Sequence, residues 1–197
     1  STATAGTDLS LSAGTVLTGD DSTFTAGNDL SLTAGTSLTA NDSTVIATAG
    51  SATIQANGGD LSMNVSTITA NTSVTGTASG AVLFDGSAAT AGTDLSLTAG
   101  AALTGTDATF TAGNNLSLTA GTSLTANDST VIATAGSATI KANGGDLSMN
   151  VSTITANTSV TGTASGAMLL DASTATAGTD LSLSAGTVLT GDDSTFT

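Results

Sequence analysis

The sequence predicts an all-β chain: a right-handed parallel β-helix (β-solenoid) of about nine coils of 21–23 residues, with three short strands per coil. Three observations carry this expectation. Residues 4–89 and 90–175 align without a gap as two 86-residue units that differ at 11 positions, and residues 176–197 repeat residues 4–25 without a change. Inside each unit a shorter period recurs, in segments of 21 or 23 residues that open at Thr4, Thr25, Thr48, Thr69, Thr90, Thr111, Thr134, Thr155 and Thr176. Within those segments, stretches such as Asp8-Leu9-Ser10-Leu11-Ser12-Ala13 alternate polar and apolar residues, the period-two mark of a half-buried strand.

In the first coil the strands are expected at residues 8–13, 15–18 and 22–26, broken by Gly14, by Gly19-Asp20-Asp21 and by Gly27-Asn28. Leu9, Leu11, Ala13, Leu17, Phe24 and Ala26 are expected to point inward. Their counterparts Leu30, Leu32, Ala34, Leu38, Ile46 and Ala49 stack above them, and Leu95, Leu97, Phe110, Leu116 and Leu118 continue the ladder in the second unit. Outward positions carry Thr, which suits the pleat, and Ser. Each segment opens Thr-Ala-Gly or Thr-Ala-Asn, which marks Gly6, Gly27, Gly50, Asn71, Gly92, Gly113, Gly136, Asn157 and Gly178 as backbone corners. Because Gly and Asn tolerate positive φ at least cost, these corners are expected to be left-handed. A helical reading fails, since Gly, Thr, Ser, Asn and Asp dominate and no 3.6-residue stripe persists. The whole of residues 1–197 reads as one continuous solenoid that starts and stops in mid-repeat, at Ser1 and Thr197, and is expected to be an excerpt of a longer array.

Composition narrows the function. There is no His, no Cys, no Tyr and no Trp, so imidazole bases, thiolate nucleophiles, ordinary zinc or iron sites and disulfides are all missing. Ser and Asp without His make no triad, and no enzyme activity or cofactor is expected. A net charge of −14 with one cation, Lys141, argues against nucleic acid, since nothing displaces its counterions. No apolar run approaches the roughly 20 residues of a membrane helix, and no membrane insertion is expected. Mean hydropathy of +0.30 nevertheless requires a buried core, built from aliphatic residues because aromatics make up only 2%.

The stretches Thr-Ala-Gly-Thr-Asp-Leu-Ser-Leu-Ser-Ala-Gly at 4–14 and Thr-Ala-Gly-Asn-Asp-Leu-Ser-Leu-Thr-Ala-Gly at 25–35 resemble the repeats of filamentous-haemagglutinin-type exoproteins, the adhesins and contact-dependent toxins of two-partner secretion. The resemblance covers the whole chain. It implies a stalk on a bacterial surface or in the extracellular medium, whose partners are neighbouring coils or other copies joined end to end. Any host or bacterial receptor would be met only through regions outside this stretch.

Three other features invite a site. Asn57-Gly58-Gly59-Asp60 and Asn143-Gly144-Gly145-Asp146 resemble calcium-binding repeat turns, but a β-roll needs its Gly-Gly-x-Gly-x-Asp cycle in tandem, so solvated turns are the expectation. Asp8 and Asp29 hold one position on adjacent coils, about 5 Å apart, and would repel unless screened or bridged by a cation. Asp8, Asp29, Asp60 and Asp146 are therefore the only metal candidates, and weak ones. Thr-x-Thr at Thr23-Phe24-Thr25, Thr67-Ile68-Thr69, Thr109-Phe110-Thr111 and Thr153-Ile154-Thr155 resembles the outward ladder of an ice-binding solenoid. That ladder reads as interrupted, since Ile46-Ala47-Thr48 and Ala88-Ala89-Thr90 fall between its rungs. Ladders of polar residues such as Asn71 and Asn157 would also suit a fibre whose ends stack. The preferred expectation is mechanical: a rigid shaft of a secreted or surface exoprotein, with a self-assembling filament as the alternative.

Overall fold

The computed structural model describes all 197 residues, and every regular element in it is a strand. The first turn of the chain shows the plan: β1 (Thr2–Ala5), β2 (Leu9–Ala13), β3 (Leu17–Asp20) and β4 (Thr23–Ala26), after which the order recurs to the end of the chain. Every third strand falls in the same sheet, giving face A with ten strands (β1 and β4 among them), face B with nine (from β2) and face C with nine (from β3). Each strand pairs in parallel with those one coil below and above, as in Leu9↔Leu30 and Leu17↔Leu38. This is a parallel β-solenoid of about nine coils. Register runs unbroken through the junction of the two 86-residue units, where Thr69 pairs with Thr90 and Thr90 with Thr111.

Alternation explains the core. On face B the inward residues are the first, third and fifth of each five-residue strand, so Leu30, Leu32 and Ala34 are buried while Ser31 and Thr33 face out. The same set repeats at Leu95, Leu97, Leu116 and Leu118, and Leu38 and Phe110 close the core from the other faces. Leu9, Leu11 and Leu17 also point inward, but they lie in the first coil with a neighbour on one side only, and are half-buried against the same core.

Where face C or face A carries an inward Phe, the other face of that coil carries Gly or Ala. Gly19 opposes Phe24, and a Cβ added to Gly19 would stand 3.0 Å from the Phe24 ring. Successive coils pair Ala40 with Val45, Met63 with Ile68, and Phe84 with Ala89, all buried, before Gly105 again lies under Phe110. Among these pairs two large side chains meet only as Met63 with Ile68, whose unbranched or aliphatic chains pack side by side, and an inward Phe always has Gly or Ala across from it. At the unit junction the large partners meet on successive coils, and Phe84 and Phe110 form an edge-on pair with ring centroids 5.3 Å apart.

Several sequence expectations shift in the structure. Ile46 is not a core residue: Val45 takes the inward position opposite Phe24, and Ile46 faces out in register with Thr25. Ala49 likewise lies in an exposed turn, and Ala47 is the buried counterpart of Ala26. The expectation for Ile46 is one position off and so falls on the wrong face, whereas the two extra residues of a 23-residue coil displace Ala49 by two positions from Ala47, because they do not sit together. One lengthens the turn at 48–51 and the other the turn at 57–60, so that alignment on the Thr-Ala-Gly at 48–50 misplaces the whole preceding strand. Thr48 and Thr134, not Gly50 and Gly136, therefore follow the face A strand where Gly27 and Gly113 do. The strand on face C also starts two residues later than expected and includes Gly19 and Asp20, because Gly19 is buried as the small partner of Phe24.

Candidate functional site

Three corners join the faces, and they differ in chemistry. Gly6, Gly27, Asn71, Gly92, Gly113, Asn157 and Gly178 do lie at a corner, directly after face A, but none has the positive φ expected of it. Glycine is required there by crowding. A Cβ on Gly27 would run into the carbonyl oxygen of Gly6, and Gly92, Gly113 and Gly178 meet the residue below them in the same way. A side chain is present where one of the two facing turns carries an extra residue, as with Thr48 over Gly27 and Asn71 over Thr48.

Left-handed backbone occurs instead between faces C and A, once per coil, at Asp21, Asp42, Val65, Gly86, Asp107, Asp128, Val151, Ala172 and Asp193, with φ between 45° and 54°. Asp and Gly suit that conformation, whereas Val65 and Val151 are β-branched and strained in it. The next residue is a buried serine in eight of the nine coils, from Ser22 to Ser194, save that Ser194 in the last coil is only partly covered. Each serine hydroxyl donates to a carbonyl two residues earlier, and from Ser43 onward each also accepts a backbone N–H of the coil below: Ser66 Oγ takes the N–H of Ser43 at 3.0 Å and donates to Asn64 O at 2.9 Å. Ala108 interrupts this column, and the N–H of Ser87 beneath it meets a methyl group in place of a hydroxyl. Sequence reading missed the column, although a serine two residues before the inward residue of face A recurs in every coil but the one with Ala108 before Phe110.

Carboxylates gather at the same corner. Asp20, Asp21, Asp42, Asp85, Asp107, Asp128, Asp171, Asp192 and Asp193 all belong to it, nine of the 15 in the chain. The four metal candidates lie on the other two corners, and their oxygens hold the turn above. Asp8 Oδ1 accepts the backbone N–H of Asp29 and the side-chain amide of Asn28, and Asp29 Oδ1 accepts the N–H of Ser51 at 2.8 Å. Asp60 and Asp146 each take one N–H, from Ala81 and Ala167 at 2.7 Å. No three acidic residues converge anywhere on a common point. The Asp8–Asp29 column is thus a chain of Asx caps running up the corner, in which donors from the next coil offset the repulsion.

Face A looks different once its register is known. The coil that the Thr-Ala-Gly motif aligned through Ile46-Ala47-Thr48 contributes Thr44-Val45-Ile46, with Thr44 between Thr23 and Thr67. Outward positions form two columns, one through Thr2, Thr23, Thr44 and Thr67, the other through Thr4, Thr25, Ile46 and Thr69. A shallow open depression of about 340 Å³ lies at the edge of this face, lined by Ile132, Thr155 and Thr176 with the turn residues Thr134, Asn157 and Gly178. The depression carries no charge. Compared with family models, with curated proteins and with solved structures, the chain has no match.

Proposed function

We propose that this chain is a length of structural shaft, part of a long bacterial surface or secreted exoprotein of the filamentous-haemagglutinin type. One observation carries the reading: the ladder of parallel pairs continues through the unit junction without a bulge, so units added in series lengthen the rod without adding a joint. Stiffness follows from hydrogen bonds that run along the rod on all three faces together with a single continuous core. A location outside the cell fits a chain without Cys and with one trypsin site, at Lys141. Its partners in this role are neighbouring coils, and any receptor is met elsewhere on the parent protein.

Small-angle scattering on recombinant proteins of two, four and six 86-residue units tests this. At a rise of about 4.8 Å per coil and four coils per unit, length should grow by roughly 19 Å per unit and stay constant with concentration. A length that rises with concentration at fixed unit number would replace the shaft by a filament whose solenoid ends stack.

A further inference from the structure

We propose that face A binds ice. The 19 paired outward positions of its ten strands hold Thr at 16 and Ser at none, the exceptions being Ile46, Ala88 and Ile132. Face B, built on the same coils with the same alternation, is the internal control. Its 20 paired outward positions hold eight Ser, and also Gln55, Lys141 and Asp180. Strand propensity favours Thr over Ser equally on both faces, so propensity alone does not account for a face that excludes Ser.

What separates the two residues is stiffness. A β-branched side chain on a strand has a restricted χ1, so each Thr presents its methyl and hydroxyl at fixed points, while Ser turns freely. Parallel in-register pairing repeats those points about every 4.8 Å along the rod and about every 6.7 Å along a strand. These intervals lie close to the oxygen spacings on the prism faces of hexagonal ice. The hydroxyls are free for that use: of the 16 only Thr176 has a protein partner, Thr197 at 3.4 Å. Waters held between them lose little entropy on joining a lattice, because the side chains beneath are already ordered.

Charge and composition choose ice over other periodic surfaces. All 15 carboxylates lie off the face, most of them on one corner, which leaves a neutral strip for a neutral lattice. The outward columns contain no aromatic ring on which a sugar could stack, which disfavours crystalline polysaccharide. Nine spacings by a four-residue strand give a strip on the order of 600 Å², large enough for many weak contacts to act together.

Ice recrystallisation and thermal hysteresis should be measured on the full chain, on Thr90→Tyr/Thr111→Tyr in the centre of face A, and on Thr98→Tyr/Thr119→Tyr on face B. Thr90→Val/Thr111→Val keeps the shape and removes only the hydroxyls, which guards against a misfolded Tyr variant, and circular dichroism checks each protein. The native chain and the face B variant should inhibit recrystallisation alike. Both face A variants should need about tenfold more protein or worse, since many weak contacts are lost together. A folded native chain without activity, or equal losses on the two faces, overturns the proposal. So does retention of the native chain, but not of the face A variants, on solid cellulose or chitin in the absence of ice activity, which would assign the face to carbohydrate. The rod itself would survive either result.

Discussion

At the scale of single residues, the corner between faces C and A combines strain with capping. Val65 holds φ at 48° with its side chain 59% exposed, so it bears the cost of left-handed backbone while burying little. Gly86 takes the same position one coil later. Val65→Gly should therefore stabilise the chain by about 1 kcal/mol, seen as a higher urea midpoint, because the strain relieved exceeds the entropy that glycine restores to the unfolded state. The serine column beside it makes the opposite point. Ala108→Ser should supply the hydroxyl that the N–H of Ser87 lacks and add about 1 kcal/mol, whereas Ser66→Ala removes an acceptor and a donor at a buried site and should cost about 1–3 kcal/mol. If denaturation leaves Ala108→Ser unchanged or weaker, the hydroxyl column is not a stabilising device.

At the scale of elements, each coil is a small volume puzzle solved within itself. Phe84 with Ala89 and Gly105 with Phe110 are two solutions of one problem, placed on successive coils. Phe84→Ala leaves a cavity beneath Phe110 and should cost about 3–5 kcal/mol. Phe84→Gly combined with Ala89→Phe rebuilds the arrangement of the next coil. A double-mutant cycle by calorimetry should then find a favourable coupling of at least about 1 kcal/mol, and strict additivity would show that the pairs are not matched. This matching was invisible before the fold was known. Gly19 and Phe24 are five residues apart, a spacing that means nothing in a strand or a helix and means opposition only across a particular corner.

At the scale of the whole molecule, the rod separates its functions by edge and face: carboxylates along one corner, free threonines on one sheet, apolar ladders inside. Nine carboxylates on one edge repel along its length, so stability should rise on going from about 10 to 150 mM salt, as a higher melting temperature, and level off once the Debye length falls below about 8 Å. A melting temperature that ignores salt would show that the carboxylates along this edge do not destabilise the rod by repulsion. By itself the sequence determined the class of fold, the length and number of coils, three strands in each and most of the core, because a period of two inside a period of 21–23 leaves few other ways to bury Leu, Val, Ile and Ala. It did not determine register around the longer turns. There the Thr-Ala-Gly motif, the strongest signal in the chain, aligned Gly50 with Gly27, while hydrogen bonding aligned Thr48 with it and turned Val45 inward in place of Ile46. Only the tertiary structure decided that point, since two inserted residues cost little in separate exposed turns, whereas a one-residue slip in a strand would move every side chain to the wrong side of the wall. The same register closed the gap at Thr44 and made one face of the rod a nearly continuous array of threonines.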